Sequence, residues 1–159
     1  MSSKARRYWL MKTEPDTFSI DDLERVDIEP WNGVRNYQAR NYMRDGMQVG
    51  DGVLFYHSNC DEPGVVGLAT IASPAYPDPS QFDPKSDYHD PKSNREDPRW
   101  LLVDVKFERA LKRNVTLAEL KASPQLDDFA LVQRGNRLSI LPVSKPQWDF
   151  ILKQEKKKP

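Results

Sequence analysis

Lys12-Thr13-Glu14 sets an ammonium, a hydroxyl and a carboxylate on three consecutive residues, closed by Pro15, which pushes Glu14 toward extended backbone. A second group of polar side chains lies between Trp31 and Ser58 (WNGVRNYQARNYMRDGMQVGDGVLFYHS). Trp31 stands in a Pro-Trp-Asn-Gly turn and offers a flat apolar face for stacking. Arg35 and Asn36 supply a guanidinium fork and an amide, the groups that read base edges. His57 and Ser58 end an apolar run with an imidazole and a hydroxyl suited to hydrogen bonding a base or sugar. A core hairpin or helix has no need of so many polar groups beside its apolar positions, so this excess marks a site. Each residue also has a structural reading. Trp31 is able to plug a core, Arg35-Asn36 to start a helix, and Lys12 with Glu14 to form an ion pair worth little at a surface. His57 and Cys60 make half a metal set with no second pair, so neither a metal nor a cofactor is expected.

Something must position these groups, and the pattern of the chain predicts what. Tyr8 to Lys12 reads as a first strand, and Ser19 with Asp22 as a capping box opening a short helix through Leu23. Asn36 caps a helical run in which Tyr37, Ala39, Tyr42 and Met43 recur, ended by Gly46. Val53–His57 and Val65–Ile71 are strands, Gly67 marking a bulge or a close backbone approach. Residues 73–99 hold six prolines and almost no aliphatic side chains, a loop by composition and a candidate lid. The cluster Asp87-Tyr88-His89-Asp90 inside it reads as solvated surface. Trp100–Phe107 resumes strand character. Thr116 and Glu119 box a short helix, Phe129, Leu131 and Val132 form an apolar segment, and Gly135-Asn136 turns into a strand Arg137–Leu141. Ser144 and Gln147 cap a last helix carrying Trp148, Ile151 and Leu152. Tyr8, Trp9, Tyr37, Tyr42, Trp100 and Trp148 are expected in the core. The fold class is α+β: a small mixed β-barrel with short peripheral helices, one domain over residues 1–159.

Composition narrows the function classes. The 159 residues balance 24 Lys and Arg against 24 Asp and Glu, with a pI near 6.7. A protein gripping duplex nucleic acid mainly through phosphates would be basic overall, so any such contact is local; Arg35, Arg40, Arg44, Arg134 and Arg137 are its candidates. One cysteine excludes an internal disulfide and a cysteine-based zinc site. The N-terminal residues lead into no signal-like apolar run, and no membrane-spanning stretch is seen, so a cytoplasmic monomer is expected, nuclear in a eukaryote.

The segments YWLMKTEP, FSIDDL, WNGVRNYQARNYMR, VGDGVLFYHSN, PGVVGLA and RLSILPVS, read in order, resemble the EVE domain family. EVE domains are similar to the PUA-like barrels, whose relatives include the YTH readers of methylated adenine in RNA. The resemblance implies a pseudo-barrel with a cleft that binds a modified nucleobase, cytosine or adenine, in DNA, RNA or as a free nucleoside-like molecule. Lys12-Thr13 looks like the Lys-Ser pair at the base pocket of YTH domains, Trp31 is similar in position to one of their cage tryptophans, and Phe55–Asn59 resembles a segment lining the same cleft. A full set of three cage aromatics is not found on this chain. Together the residues and the resemblance give a ligand-binding set of Lys12, Thr13, Glu14, Trp31, Val34, Arg35, Asn36, Tyr56, His57, Ser58 and Ser139, with no catalytic residue. The rival is an amidohydrolase-type enzyme acting on a modified nucleoside, like the ASCH relatives that use Lys, Thr and Glu. A nucleophile must hydrogen-bond its base, so that reading needs Thr13 beside a lysine or carboxylate.

Overall fold

The computed structural model describes residues 6–135 and 138–157. Its centre is a parallel pair, β1 (Tyr8–Thr13) beside β3 (Gly52–His57), with Leu10 opposite Leu54 and Thr13 opposite His57. Parallel strands need a crossover, and the chain makes it with α1 (Ile20–Val26), the short β2 (Ile28–Pro30) and α2 (Tyr37–Asn41). Both expected caps form: Ser19 and Asp22 bond reciprocally, and Asn36 Oδ1 accepts from the Ala39 amide at 3.0 Å. The helical run then widens into a π-helical turn, Tyr42–Gly46.

The remaining strands are β4 (Gly64–Ile71), β5 (Tyr76–Pro77), β6 (Leu101–Leu102), β7 (Asp104–Thr116) and β8 (Ile140–Val143). Six of them form one sheet in the order β2-β7-β4-β3-β1-β8, while β5 and β6 pair apart from it. Register slips between Phe55 and Tyr56, between Val65 and Gly67, and between Leu68 and Ala69. Bulges of this kind bend and twist a sheet, and here they curl it into a half-barrel whose ends, β2 and β8, do not meet. Gly67 serves both of its expected roles, since a Cβ there would fall on the Ile20 side chain.

Both faces of the sheet are covered, which is why β1 and β3 are apolar at nearly every position. Trp9, Met11, Val53 and Phe55 point into one core with Ile20, Leu23, Trp31 and Met43. Leu10, Leu54, Tyr56 and Leu141 point into the other with Leu120, Trp148 and Ile151, the last two from α4 (Lys145–Gln154). The Thr116 and Glu119 box opens α3 (Leu117–Lys121) as read. The strand after Trp100 breaks at Val103 and then runs on to Thr116, nine residues past Phe107. Its outer half, Glu108 to Asn114, is charged and alternates in exposure, because ion pairs replace apolar packing there. Arg109 holds Glu155 at 2.7 Å and Arg113 holds Glu119 at 2.6 Å. The C-terminal strand begins at Ile140, later than expected; Asn136 and Arg137, in the predicted turn and strand, lie outside the described residues.

Segment 73–99 is not structureless. Asp78 caps a 3-10 turn, Pro79–Phe82, and the buried Gln81 amide donates to the Asp78 and Trp100 carbonyls at 2.7 Å while its oxygen accepts from the Trp100 amide and Ser93. Buried polar side chains fasten this loop where aliphatic ones do not.

Candidate functional site

A cleft of about 600 Å³ opens at the C-terminal end of β1, where the curled sheet meets the turn after β2. Lys12, Thr13 and Glu14 line it from the strand end, Thr17 and Phe18 from the segment before α1, and Ser58 and Ser139 from beside them. Glu29, Pro30, Trp31, Asn32, Gly33, Val34 and Arg35 form the opposite wall, and Tyr88 stands at the rim.

Eight of the eleven expected residues therefore come together: Lys12, Thr13, Glu14, Trp31, Val34, Arg35, Ser58 and Ser139. Asn36, Tyr56 and His57 do not line the cleft. Asn36 is exposed, and its side-chain oxygen is used by the helix cap. Tyr56 points to the opposite face of β3 from Phe55 and is buried in the second core. His57 Nε2 accepts from the Ile20 amide at 3.1 Å and its ring lies edge-on to Phe55, so the imidazole ties β3 to the start of α1. Accepting there requires the neutral ring, and burial lowers the His57 pKa accordingly.

Several of the groups that do line the cleft play different parts from those expected. Trp31 is 7 % exposed, with its ring perpendicular to Phe55 at 5.7 Å and to Phe18 at 6.3 Å. It belongs to the first core and gives the cleft part of its surface. Arg35 spends all five N–H groups within the protein. Nε and Nη2 donate to the Tyr88 carbonyl, Nη1 to the Val34 carbonyl and Asp78, and Nη2 also to Ser80 Oγ. Its partner Asp78 is 0 % exposed and accepts from the Gly33 amide at 2.8 Å as well. Burial alone would raise the Asp78 carboxyl, but the bonds from Ser80, Gly33 and Arg35 outweigh it and hold the pKa below the usual range. Arg35 is thus a clamp that pins the loop to the cleft wall, with no donor left to read a base.

Tyr88 is exposed, as read, and its backbone carbonyl and ring also belong to this clamp. Arg35 lies over its ring at 5.5 Å, and the ring covers Gly33, whose φ of +83° and missing Cβ (2.6 Å from Tyr88 Cζ if present) leave room for glycine alone. Tyr37 departs from the core reading: it is 52 % exposed and stacks on Trp100 at 4.9 Å, with Arg40 above it. Arg44 pairs with the neighbouring Asp45, and Arg40 bonds to Asn41 and the Arg99 carbonyl, so neither stands free for phosphates.

Two charges in the cleft remain uncommitted. Among the described residues the Lys12 ammonium makes no hydrogen bond or ion pair, only an approach of 5.9 Å over the Tyr56 ring, and burial lowers its pKa. The Glu29 carboxylate likewise has no polar partner among the described residues; burial first, and the Asp22 carboxylate second, raise its pKa. Glu14 accepts from Asn59 rather than pairing with Lys12. Thr13 Oγ1 donates to the Phe18 carbonyl at 3.0 Å. Glu29, Thr17, Phe18 and Asn32 were not singled out by sequence. Glu29 carried the one available signal, a carboxylate two residues before Trp31. Among the described residues no group of three or more His, Cys, Asp or Glu is placed to hold a metal, and no helix is long and apolar enough to cross a membrane.

The fold recurs in known proteins. The EVE domain profile matches residues 7–154. Human thymocyte nuclear protein 1 is 43 % identical over 171 residues, covering 96 % of this chain and 75 % of that protein. A crystal structure of human THYN1 protein in complex with 5-methylcytosine containing DNA superposes with a TM-score of 0.91 at 42 % identity, covering 96 % of this chain and 99 % of that one. The YTH domain of Zygosaccharomyces rouxii MRB1 protein, solved with N6-methyladenosine RNA, matches with a TM-score of 0.54 over 99 % of this chain and 88 % of that one. At 12 % identity that likeness speaks for the shared PUA-like fold alone. By its profile match and its similarity to human thymocyte nuclear protein 1, the chain belongs to the EVE domain family.

Proposed function

We propose that this chain is a non-catalytic binding module that takes one modified nucleobase of a nucleic acid into the cleft beside Lys12, Trp31 and Ser58. The observation that carries the reading is the cleft itself. It is large enough for a single base, has an apolar wall from Trp31, Phe18 and Val34, and is lined by the polar residues Lys12, Glu29 and Ser58. The 5-methylcytosine DNA bound by the similar human protein supports the same class of ligand. With Trp31 nearly buried, the base gains more from enclosure and hydrogen bonds than from stacking on an open ring. Extruding a base from a duplex costs a few kcal/mol, so single-stranded or mismatched sites bind more readily.

The amidohydrolase alternative draws no support from Thr13, whose hydroxyl serves a backbone carbonyl instead of a lysine or carboxylate. The test is a titration of oligonucleotides carrying one 5-methylcytosine, or none, against the wild type and Ser58→Trp, which fills the cleft. Chromatography of the nucleosides after incubation accompanies it. Binding that depends on the modification, is lost in Ser58→Trp and leaves the nucleoside unchanged is expected. A converted nucleoside would overturn the non-catalytic reading.

A further inference from the structure

The neutral total hides a segregated distribution of charge. Residues 14–29 carry seven carboxylates against the single arginine Arg25, and Glu14 and Glu29 from that segment line the cleft. A phosphate backbone passing along this side meets repulsion. The cations lie elsewhere. Arg109, Lys112 and Arg113, on the outer half of β7, meet Lys153 near the end of α4 and Lys156 and Lys157 just past it. The contacts are direct. Arg109 and the Lys112 amide donate to the Glu155 carboxylate at 2.7 and 3.1 Å, and Arg113 donates to the Gln154 and Lys157 carbonyls at 2.5 and 2.7 Å.

Within this cluster two carboxylates are used up and the ammonium groups are not. Glu155 is buried beneath Arg109, and both terminal nitrogens of Arg113 clasp Glu119. Lys112, Lys153, Lys156 and Lys157 are exposed, and among the described residues none of their ammonium groups is in a hydrogen bond or ion pair. With Glu108, exposed beside Arg109, six cations stand against three carboxylates. A lysine-rich helix end also suits the helix dipole, but that effect fades within the last turn of α4 and gives no account of Lys112, which β7 contributes.

This basic edge shares a sheet with the cleft. Thr13 pairs with His57, His57 with Gly64 and Gly64 with Thr116, so one row of residues joins the end of β1, where the cleft opens, to the end of β7. Three strand spacings make that row roughly 14 Å long, and Lys112 lies roughly 13 Å back along β7 from Thr116. We propose that the edge formed by Arg109, Lys112, Arg113, Lys153, Lys156 and Lys157 docks the phosphates of a nucleic acid strand several nucleotides away from the base seated in the cleft; this rests on the function given above. Each ammonium that meets a phosphate releases counterions, so this surface supplies the salt-dependent part of binding that the cleft lacks.

The probes are single-stranded DNAs five or twenty nucleotides long, each with one central 5-methylcytosine. Two flanking nucleotides fall short of the basic edge, while nine reach about 30 Å even at helical rise. Anisotropy titrations from about 50 to 200 mM salt compare wild type with two charge-reversal pairs. One is Lys156→Glu with Lys157→Glu. The other is Lys85→Glu with Lys92→Glu, exposed on the 73–99 loop, which changes net charge equally. For wild type the log–log salt slope should be steeper for the longer strand by about 2–3, from four phosphate contacts at about 0.7 each. The first pair should weaken binding of the longer strand at least about fivefold at low salt, remove half or more of the extra slope and leave the pentamer within about twofold. The loop pair should leave the extra slope in place. Circular dichroism reports folding; should charge reversal disturb the packing around Glu155, Lys156→Gln with Lys157→Gln should lower the slope in the same direction. Equal slopes for the two strands, or equal losses in both pairs, would overturn the docking surface alone. No binding of the pentamer by the wild type would overturn the cleft as the base site and this proposal with it.

Discussion

Arg35 and Trp31 show how a residue type that suits ligand contact is spent on holding the site together. Asp78 is buried with Arg35 as its only ion-pair partner among the described residues, so shortening the fork leaves a buried carboxylate under-satisfied. Arg35→Lys should lower unfolding free energy by about 2–4 kcal/mol, measured by urea denaturation, since an ammonium cannot make five planar donations. Trp31→Ala removes a ring packed against Phe18 and Phe55, and a loss of about 3–5 kcal/mol is expected from the cavity alone. That variant therefore cannot separate binding from folding. Among the described residues the Lys12 ammonium has no hydrogen-bond or ion-pair partner, so Lys12→Met should leave stability within about 0.5 kcal/mol and weaken oligonucleotide binding by about tenfold. Residue types and the family resemblance together named eleven residues, of which eight line the cleft. The three exceptions fail for local reasons. Asn36 is consumed by its own cap, Tyr56 by strand alternation, and His57 by an amide that sequence does not reveal as its partner.

At the scale of elements, legibility follows how local the stabilising interactions are. The three capping boxes, the bulge at Gly67 and strands β1, β3 and β4 were read because caps and apolar runs act within a few residues. The outer half of β7 was missed because its support lies far along the chain, in α3 and just past α4. Glu155, 5 % exposed, accepts from both terminal nitrogens of Arg109 and from the Lys112 amide. The Arg109 hydrogen bond first, and the Lys112 amide after it, hold the Glu155 carboxyl below its usual range. A carboxyl depressed in the folded state adds stability above its unfolded pKa of about 4.5 and loses it as pH falls through the folded value. Glu155→Gln should therefore cost about 1–3 kcal/mol at pH 7 and flatten the loss of stability below pH 4.5. Chemical denaturation from pH 7 to pH 3 measures both. The ordering of 73–99 was also hidden, since Gln81 and Asp78 fasten that loop through partners at Trp100 and Arg35.

For the whole molecule, the curled sheet explains why one end carries a cleft. The unpaired edges β2 and β8 let the turn at Trp31 and the segment at Ser139 approach the end of β1 without closing over it. Charge balance sets the manner of binding. With no net charge and with Arg35, Arg40 and Arg44 engaged internally, few phosphates are neutralised. Affinity for a short oligonucleotide should fall only gently with salt, a log–log slope no steeper than about −2. A slope several times steeper would require a phosphate-binding surface outside the cleft. The chain should sediment as a monomer in these titrations.

The central claim, that one modified base occupies the cleft, is tested most directly by a crystal structure of the protein with a short DNA strand containing a single 5-methylcytosine. The account predicts the base inside the cleft, its ring against Trp31 and Phe18. Strand density on another surface with the cleft empty, such as the open hollow between Gln81 and Glu96, would contradict it.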